Sequence, residues 1–392
     1  MRSHYGMAIP SPYRVGATVQ LHIHESFSEL TAPGTVAATI AEVFSMTMQP
    51  VMRVTIPTSF GTDLSAVLKV YDRRCGSILR EANEVVPHTE ELEAAYQSFV
   101  RSGEAELFVR SIKETERVTG DRPSADDYLD DKDDSGPYSP ERFETALWLD
   151  SNEYFDTESR TYAHLRDLQG HSIPQLYALA SLDLSGGGAY GPARDLCSGP
   201  LSVYFQTKAI LLEYIPGPTL SDFPSSELST CSGDPRQTVQ TVVREAVEIV
   251  HEINRRGVLL RDCSPSNAVV DQRTLRAKLI DLTHSVFRQD KIDYDINVAH
   301  DNEEPGWDPD LAYWDYAFCM NSTEAIGAVM TGKCRREKGM ALTIGYPDRD
   351  KIREDIKNKV CRWEEGGYIL QKHPLKDPAT RPPPVKSDAH GR

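Results

Sequence analysis

Four segments rich in β-branched and aromatic residues follow one another between Val15 and Tyr71: TVQLHIHESF, VAATIAEVF, PVMRVTI and LSAVLKVY, separated by Pro, Gly, Thr or Ser. Such side chains fit a pleated surface, and the residues between them are turn formers. The run predicts an antiparallel sheet, which commits the first part of the chain. Successive side chains of a strand point to opposite faces, so in the last segment Leu64, Ala66, Leu68 and Val70 share one side, and Ser65, Val67, Lys69 and Tyr71 the other. Lys69 therefore projects opposite the more apolar face.

From residue 72 to about 138 the character changes. A Glu-rich helical stretch leads into DRPSADDYLDDKDD. Charge this dense cannot bury itself, so 119–138 is expected to be a disordered acidic insertion. Ser139-Pro140-Glu141 then reads as a helix start: a capping residue, Pro at the first helical position and an acid in the first turn. The helix runs through LWLDSNEYF, and Glu158, Tyr162, Leu165 and Leu168 continue at helical spacing until Gly170. IPQLYALASL and AILLEYI read as strands around the Gly-rich loop SGGGAYGPARDLCSGP. The clearest helix begins at Asp234-Pro235, carries Val239, Val242, Val243, Ala246, Val250 and Ile253 on one face, and ends in Arg255-Arg256-Gly257. The Pro-rich, polar segment at 371–392 is expected to be a disordered tail.

A formal charge of −16, from 59 acidic and 43 basic side chains, disfavours a broad basic footprint for nucleic acid or an anionic membrane. No apolar run approaches the length of a membrane span, and no secretory leader pattern stands among the first residues. The expected setting is the cytoplasm or nucleus. The seven cysteines are scattered and never in Cys-x-x-Cys spacing, which argues against a disulfide framework or a zinc site. Cys263 reads as a buried small side chain, with a reactive thiol as the minor alternative.

The segment after the clearest helix carries the chemistry. VLLRDCSPSNAVVD and LRAKLIDLT place a polar loop between short apolar strands, with Asp262 and Asn267 in the loop and Asp281 closing the second strand. Phosphoryl transfer from ATP needs such a set: a carboxylate to orient the acceptor hydroxyl, and an amide with a carboxylate to hold Mg2+ against the phosphates. An Asp-x4-Asn spacing alone arises by chance, and Asp and Asn also favour loops through local hydrogen bonds. What separates this loop from turn chemistry is its context: a capped helix before it, an Arg before the Asp and apolar strands on both sides.

In these residues, and in their order along the chain, the sequence resembles the protein kinases, and in overall pattern the uncharacterised kinase-like proteins of fungi. The resemblance implies an α+β, bilobal protein-kinase-like fold. It would have a β-rich antiparallel small lobe over 15–212, preceded by 1–14 and interrupted by an insertion at 72–138, and a mainly helical large lobe with its hinge over 213–370. It implies an ATP-dependent phosphotransferase that uses Mg2+ and transfers the γ-phosphoryl group to a protein Ser/Thr or to a small-molecule hydroxyl. Arg261-Asp262 with Asn267 would be the catalytic loop, and Asn267 and Asp281 would be the metal ligands. Lys69 would hold the phosphates, paired with Glu158, for which Glu144 and Glu153 are rivals. The hinge LLEYIPG would meet adenine through backbone groups near Glu213 and Ile215.

Several positions depart from that pattern. No Gly-x-Gly-x-x-Gly lies near the first strands, Val67 stands where the family prefers alanine, Leu260 replaces a histidine, and Leu282-Thr283 replaces Phe-Gly. Thr283 lacks the backbone freedom of glycine, so this loop is expected to hold one fixed state. The stretch from Asp281 to Pro309 has no Ala-Pro-Glu, which suits a reduced protein-substrate platform. The alternative reading is therefore a pseudokinase: a nucleotide-binding or protein-interaction module without turnover.

Overall fold

A computed structural model describes residues 11–47, 49–58, 61–76, 80–81, 87–119, 139–184, 196, 198–231, 233–320 and 322–369. The expected disorder at 119–138 and 371–392 falls outside these residues, except for Thr119, which ends a helix. The fold is α+β and the chain forms two compact units. One comprises the residues up to Tyr214 with 282–284 and 297–299; the other comprises 215–281, 285–296 and the residues from His300 onward.

In the first unit, β1 (Thr18–Ser26), β2 (Gly34–Met46), β3 (Pro50–Pro57), β4 (Asp63–Tyr71), β5 (Leu176–Asp183) and β6 (Thr207–Glu213) are antiparallel. They close into a barrel in the order β1-β2-β3-β4-β6-β5. Closure comes from β1, where Leu21 is paired with Val36 of β2 on one side and with Leu182 of β5 on the other. The first four strands follow the sequence reading; the sheet they belong to is closed rather than open. Strand alternation decides what fills it: Val19, Leu21 and Ile23 point inward, while Gln20, His22 and His24 are exposed. Inside, Leu21, Ile40, Met52, Val54 and Leu68 interleave with Ala38, Ala66, Ala178, Ala180 and Ala209. Large against small fills a narrow barrel without voids, and each large aliphatic side chain contributes roughly 1.5–3 kcal/mol by leaving water.

Among the described residues this unit includes the helices α1 (Glu90–Arg101), α2 (Glu104–Thr119) and α3 (Pro140–His164). The hydroxyl of Thr89 caps α1 by accepting from the Leu92 amide, and Ser139 caps α3 by accepting from the Arg142 amide, with Pro140 at the first position. α3 is one continuous helix through Glu158, and it packs on β4 and β6. Between α1, α3 and the end of β4 lies a buried charge cluster that the periodicity of the sequence does not reveal. Arg73 bonds Glu144 at 2.5 Å and also bonds Glu93, while Arg80 reaches the other oxygen of Glu144 at 2.6 Å. The Arg73 guanidinium also lies 3.8 Å from the centre of the Tyr96 ring, a cation–π contact.

Burial alone would raise the carboxyls of Glu93 and Glu144, but the guanidinium charges of Arg73 and Arg80 outweigh it and hold both well below the usual range. A carboxyl depressed on folding contributes stability that is present above its unfolded value, here 4.5, and is lost as pH falls through the folded value. Urea midpoints taken from about pH 6 down to about pH 2 should therefore fall steeply below about pH 4.5, and Glu144→Gln, less stable at neutral pH, should show a flatter acid limb.

In the second unit, α4 (Pro235–Arg255) is capped by Asp234 and buries Val239, Val242, Val243, Ala246, Val247, Val250 and Ile253. Short ladders follow: β7 (Val258–Leu260) pairs with β10 (Ser285–Phe287), and β8 (Ala268–Val270) with β9 (Ala277–Leu279). Beyond them come α5 (Arg288–Asn297), α6 (Pro309–Cys319), α7 (Ser322–Lys338) and α8 (Arg349–Lys357), and the hairpin of β11 (Arg362–Glu364) and β12 (Gly367–Ile369). Leu259, Tyr313, Trp314, Phe318, Ile352, Ile356 and Tyr368 form a shared core. Among the described residues no helix is long and apolar enough to cross a membrane.

The strand β8 is braced on its other side by residues 216–220: Val270 donates to the Pro218 carbonyl at 2.9 Å, Gln272 to Pro216 at 2.8 Å, and Leu220 to Ala268 at 2.7 Å. Gly217 makes this approach feasible. Its φ is +151°, and a Cβ there would lie 1.9 Å from the carbonyl oxygen of Val270, which is backbone and cannot swing away. Gly217→Ala should destabilise the protein by about 2 kcal/mol or more, read as a lowered urea midpoint at unchanged slope.

Candidate functional site

Polar constellations stand out in each unit. In the first, Lys69 and Tyr71 are two residues apart on β4 and so share its outward face, where α3 covers them. Glu158 of α3 has no exposed surface, and Lys69 is 4% exposed. The Lys69 ammonium lies 2.7 Å from Glu158 Oε2, which also accepts from the Tyr71 hydroxyl at 2.6 Å and from the Thr283 hydroxyl at 2.7 Å. Glu158 Oε1 accepts from the Leu282 amide at 3.2 Å. Lys69 donates in turn to Thr283 Oγ1 at 2.6 Å, and Gln49 Oε1 is 3.4 Å from that hydroxyl. A buried ion pair is tolerable when its remaining lone pairs find donors, and here both carboxylate oxygens do. The other two glutamates considered for Lys69 are also on α3: Glu144 is committed to Arg73 and Arg80, and Glu153 is half-buried.

In the second unit, strand register brings the loop residues together. The loop 261–267 runs from β7 to β8, and Ile280 and Asp281 follow β9. Because Ala268 pairs with Leu279, the chain entering β8 and the chain leaving β9 lie side by side at one end of that ladder. The Ile280 amide accordingly donates to the Asn267 carbonyl at 2.8 Å, which sets Asn267 beside the peptide leading into Asp281. Asn267 Nδ2 donates to Asp262 twice, to its carbonyl and to Oδ2, each at 3.0 Å. The loop holds this shape through Ser264, whose hydroxyl accepts from the Ser266 amide and whose carbonyl accepts from the Asn267 amide, with Pro265 pre-set for the turn. Asp281 lies two residues beyond the end of β9 rather than on the strand, with φ +60°. A left-handed aspartate outside a helix terminus costs free energy, and such residues gather where function holds the backbone.

Other expected positions fall as follows. Glu213 closes β6, with its amide donating to the Gln175 carbonyl at 2.8 Å and its carboxylate accepting from the Gln175 amide at 3.1 Å. Ile215 begins the second unit and is buried. Burial, with the neighbouring charge of Asp262, pushes the Cys263 thiol up to about 12, so the thiolate is not populated at neutral pH. The cysteines among the described residues form no disulfide. Sequence reasoning did not single out Tyr71, Thr283 or Gln49. The signal for Tyr71 was present, since it shares the face of Lys69; Thr283 entered only as a lost glycine.

No family model matches the chain, and no curated protein does. Among solved structures the chain is similar to WaaP in a structure of WaaP in complex with acyl carrier protein, at 16% identity and a TM-score of 0.24, over 46% of this chain and 75% of that one. A likeness of that size carries no chemistry across, so function is argued from the residues themselves.

The Lys69–Glu158 pair can be weighed by a double-mutant cycle. Lys69→Met and Glu158→Leu should each cost about 3 kcal/mol, since each strands a buried partner, and the double variant should lose clearly less than the sum, by at least about 1 kcal/mol in denaturant unfolding.

Proposed function

We propose that the protein is an ATP-dependent phosphotransferase of protein-kinase-like, bilobal organisation, acting on a protein Ser/Thr or a small-molecule hydroxyl. One observation carries the reading: Asp262 and Asn267 hydrogen-bond each other in a loop pinned beside Asp281. A carboxylate, an amide oxygen and a second carboxylate are the groups that phosphoryl transfer requires, and the pinned loop gives them fixed positions before any ligand arrives. The buried Lys69–Glu158 pair supports it as a cation held ready for phosphate oxygens.

Each residue has a role. Asn267 commits its Nδ2 to Asp262, so the oxygen of its amide is the atom that would ligate a metal. That oxygen and the Asp281 carboxylate suit Mg2+, which takes few protein ligands and completes its shell with water and phosphate oxygens. The metal would supply charge neutralisation across the β and γ phosphates. Asp262 accepts the proton of the acceptor hydroxyl as its oxygen bonds to the γ phosphorus; the bond from that phosphorus to the β–γ bridging oxygen breaks, and ADP leaves with the electron pair. Lys69, set by Glu158, holds the phosphates, and backbone groups near Glu213 and Ile215 meet the base.

A second reading, a nucleotide-binding pseudokinase without turnover, is favoured by the β1–β2 connection. Residues 27–33 contain no glycine, and they are tied back to β5: the Phe27 amide and the Thr31 hydroxyl both donate to the Tyr177 carbonyl, at 2.9 and 3.1 Å. Such a turn is no flexible clamp for phosphates.

Two nearly isosteric substitutions separate these readings. Asp281→Asn should weaken the stabilisation by Mg·ATP, which is ~2.7 kcal/mol when ligand stands at a hundred times its Kd. Asp262→Asn should leave that stabilisation largely intact and lower turnover about 10²-fold or more. No phosphotransfer by the parent across a panel of acceptors, with Mg·ATP still stabilising it, selects the pseudokinase.

A further inference from the structure

His22 and His24 stand two residues apart on β1, on the side of the strand that faces away from the barrel interior. Regular alternation would set two such positions roughly 6.6 Å apart along a strand. Their ring centres are only 4.8 Å apart, with the planes at 78°. The pairing of β1 with β5 explains the difference: Ile23 is opposite Ala180 and Glu25 opposite Leu179, so His24 is the extra residue of a β-bulge. A bulge re-aims a side chain, and His24 leans to Ser181, the residue paired with His22, with its Nε2 2.8 Å from the Ser181 hydroxyl. His22 Nδ1 lies 3.4 Å from the Thr35 hydroxyl of β2. Each ring thus has one nitrogen beside a hydroxyl of a neighbouring strand, and among the described residues the other nitrogen has no hydrogen-bond partner.

We propose that His22 and His24 are a chelating pair for a divalent transition-metal ion, Zn2+ or Ni2+, on the outer face of the barrel. The ring separation suits it. With a metal–nitrogen bond of about 2.0–2.1 Å and a further ~1.1 Å to the ring centre, two imidazoles that meet one ion at about 90–110° have their centres about 4.5–5.2 Å apart. The χ2 torsion of histidine is soft, so the rings can settle on one ion while the strand stays in place. A ligating imidazole passes its other N–H to an acceptor, which fixes the tautomer and raises the basicity of the ligating nitrogen, and the hydroxyls of Ser181 and Thr35 are placed for that part. The lone pairs left for the metal are then His24 Nδ1 and His22 Nε2. Partial burial and the neighbouring His22 hold His24 below the usual histidine range against the opposing charge of Glu25, so its ring is neutral at neutral pH. Among the described residues no three His, Cys, Asp or Glu side chains gather into a cage, so water takes the remaining positions on the ion. Imidazole is a donor suited to Zn2+ and Ni2+ rather than to Mg2+. The pair differs in this from Asn267 and Asp281, and the inference stands whether or not the chain transfers phosphate.

The test is calorimetric titration of the untagged full chain with ZnCl2 and with NiCl2, in the parent, His22→Gln, His24→Gln and Ser181→Ala, with the double histidine variant giving the background from any other site. Both rings are exposed, so the variants should fold, and equal urea midpoints in EDTA check this. The expected result is one ion per parent chain above that background. Either histidine variant should weaken its binding by about a hundredfold or more, and Ser181→Ala by about tenfold, since loss of an outer partner alone lowers metal affinity by about 10–100-fold. Parent binding no stronger than that of the double variant overturns the proposal. Loss in only one of the two histidine variants also overturns it, because that marks a lone ligand rather than a chelate. Displacement of Zn2+ by an equal concentration of Mg2+ overturns it as well, since that marks a site of oxygen donors.

Discussion

Glu158 sits with no exposed surface in the last third of a long helix, where an unanswered carboxylate would cost several kcal/mol. It is answered from two parts of the chain: Lys69 and Tyr71 from a barrel strand, and Leu282 and Thr283 from a short segment far along the sequence. Satisfying one buried group thus ties a strand, a helix and a distant loop in a fixed arrangement. Such a network is high-stakes, since its members strengthen one another when complete and penalise one another when one is removed. The same logic governs the second buried cluster, in which Glu144 takes Arg73 and Arg80 and so is unavailable to Lys69. Two glutamates on one helix serve separate cations, Glu144 the guanidiniums of Arg73 and Arg80 and Glu158 the ammonium of Lys69.

In the other unit, order comes from backbone pairing rather than from buried charge. The ladder β8–β9 sets the residue entering β8 beside the residues leaving β9. Asp262 and Asn267 gain their relation from a single turn built on Ser264 and Pro265, and the Asn267 carbonyl gains its neighbour from Ile280. Polar side chains are fixed here by short, local means.

Much of this was legible in the sequence, and the reasons differ by element. Strands β1 to β4 were readable because alternation is strict where one face is buried, as in Val19, Leu21 and Ile23. The helix from Pro235 to Arg255 was readable because cap, periodicity and end signals coincide. Closure of the barrel was not, since pairing of β1 with β5 is a long-range choice that neither segment encodes by itself. Among the polar residues, Lys69, Glu158, Asp262, Asn267 and Asp281 were picked out by order and resemblance. The part of Thr283 was hidden, because a substitution seen as the loss of glycine does not announce what its hydroxyl will touch. The Arg73, Arg80, Glu93 and Glu144 cluster was hidden for a related reason: charged residues in a Glu-rich stretch look solvated until a fold encloses them.

The closed barrel also bears on how the chain acquires its structure. The first four strands lie within the first seventy-odd residues, but the strands that seal them are β5 and β6, which come more than a hundred residues later. Until those arrive, β1 and β4 each present a row of unpaired amides and carbonyls, a surface open to pairing with any other exposed strand. Long-range closure of this kind is slow, because the entropy of a large loop is lost before the contacts that compensate for it form. During synthesis the β-rich beginning of the chain therefore waits through the making of α1, α2 and α3, exposed to association with its neighbours. Once β5 and β6 are in place those edges vanish, and the finished barrel offers no strand on which another chain could grow.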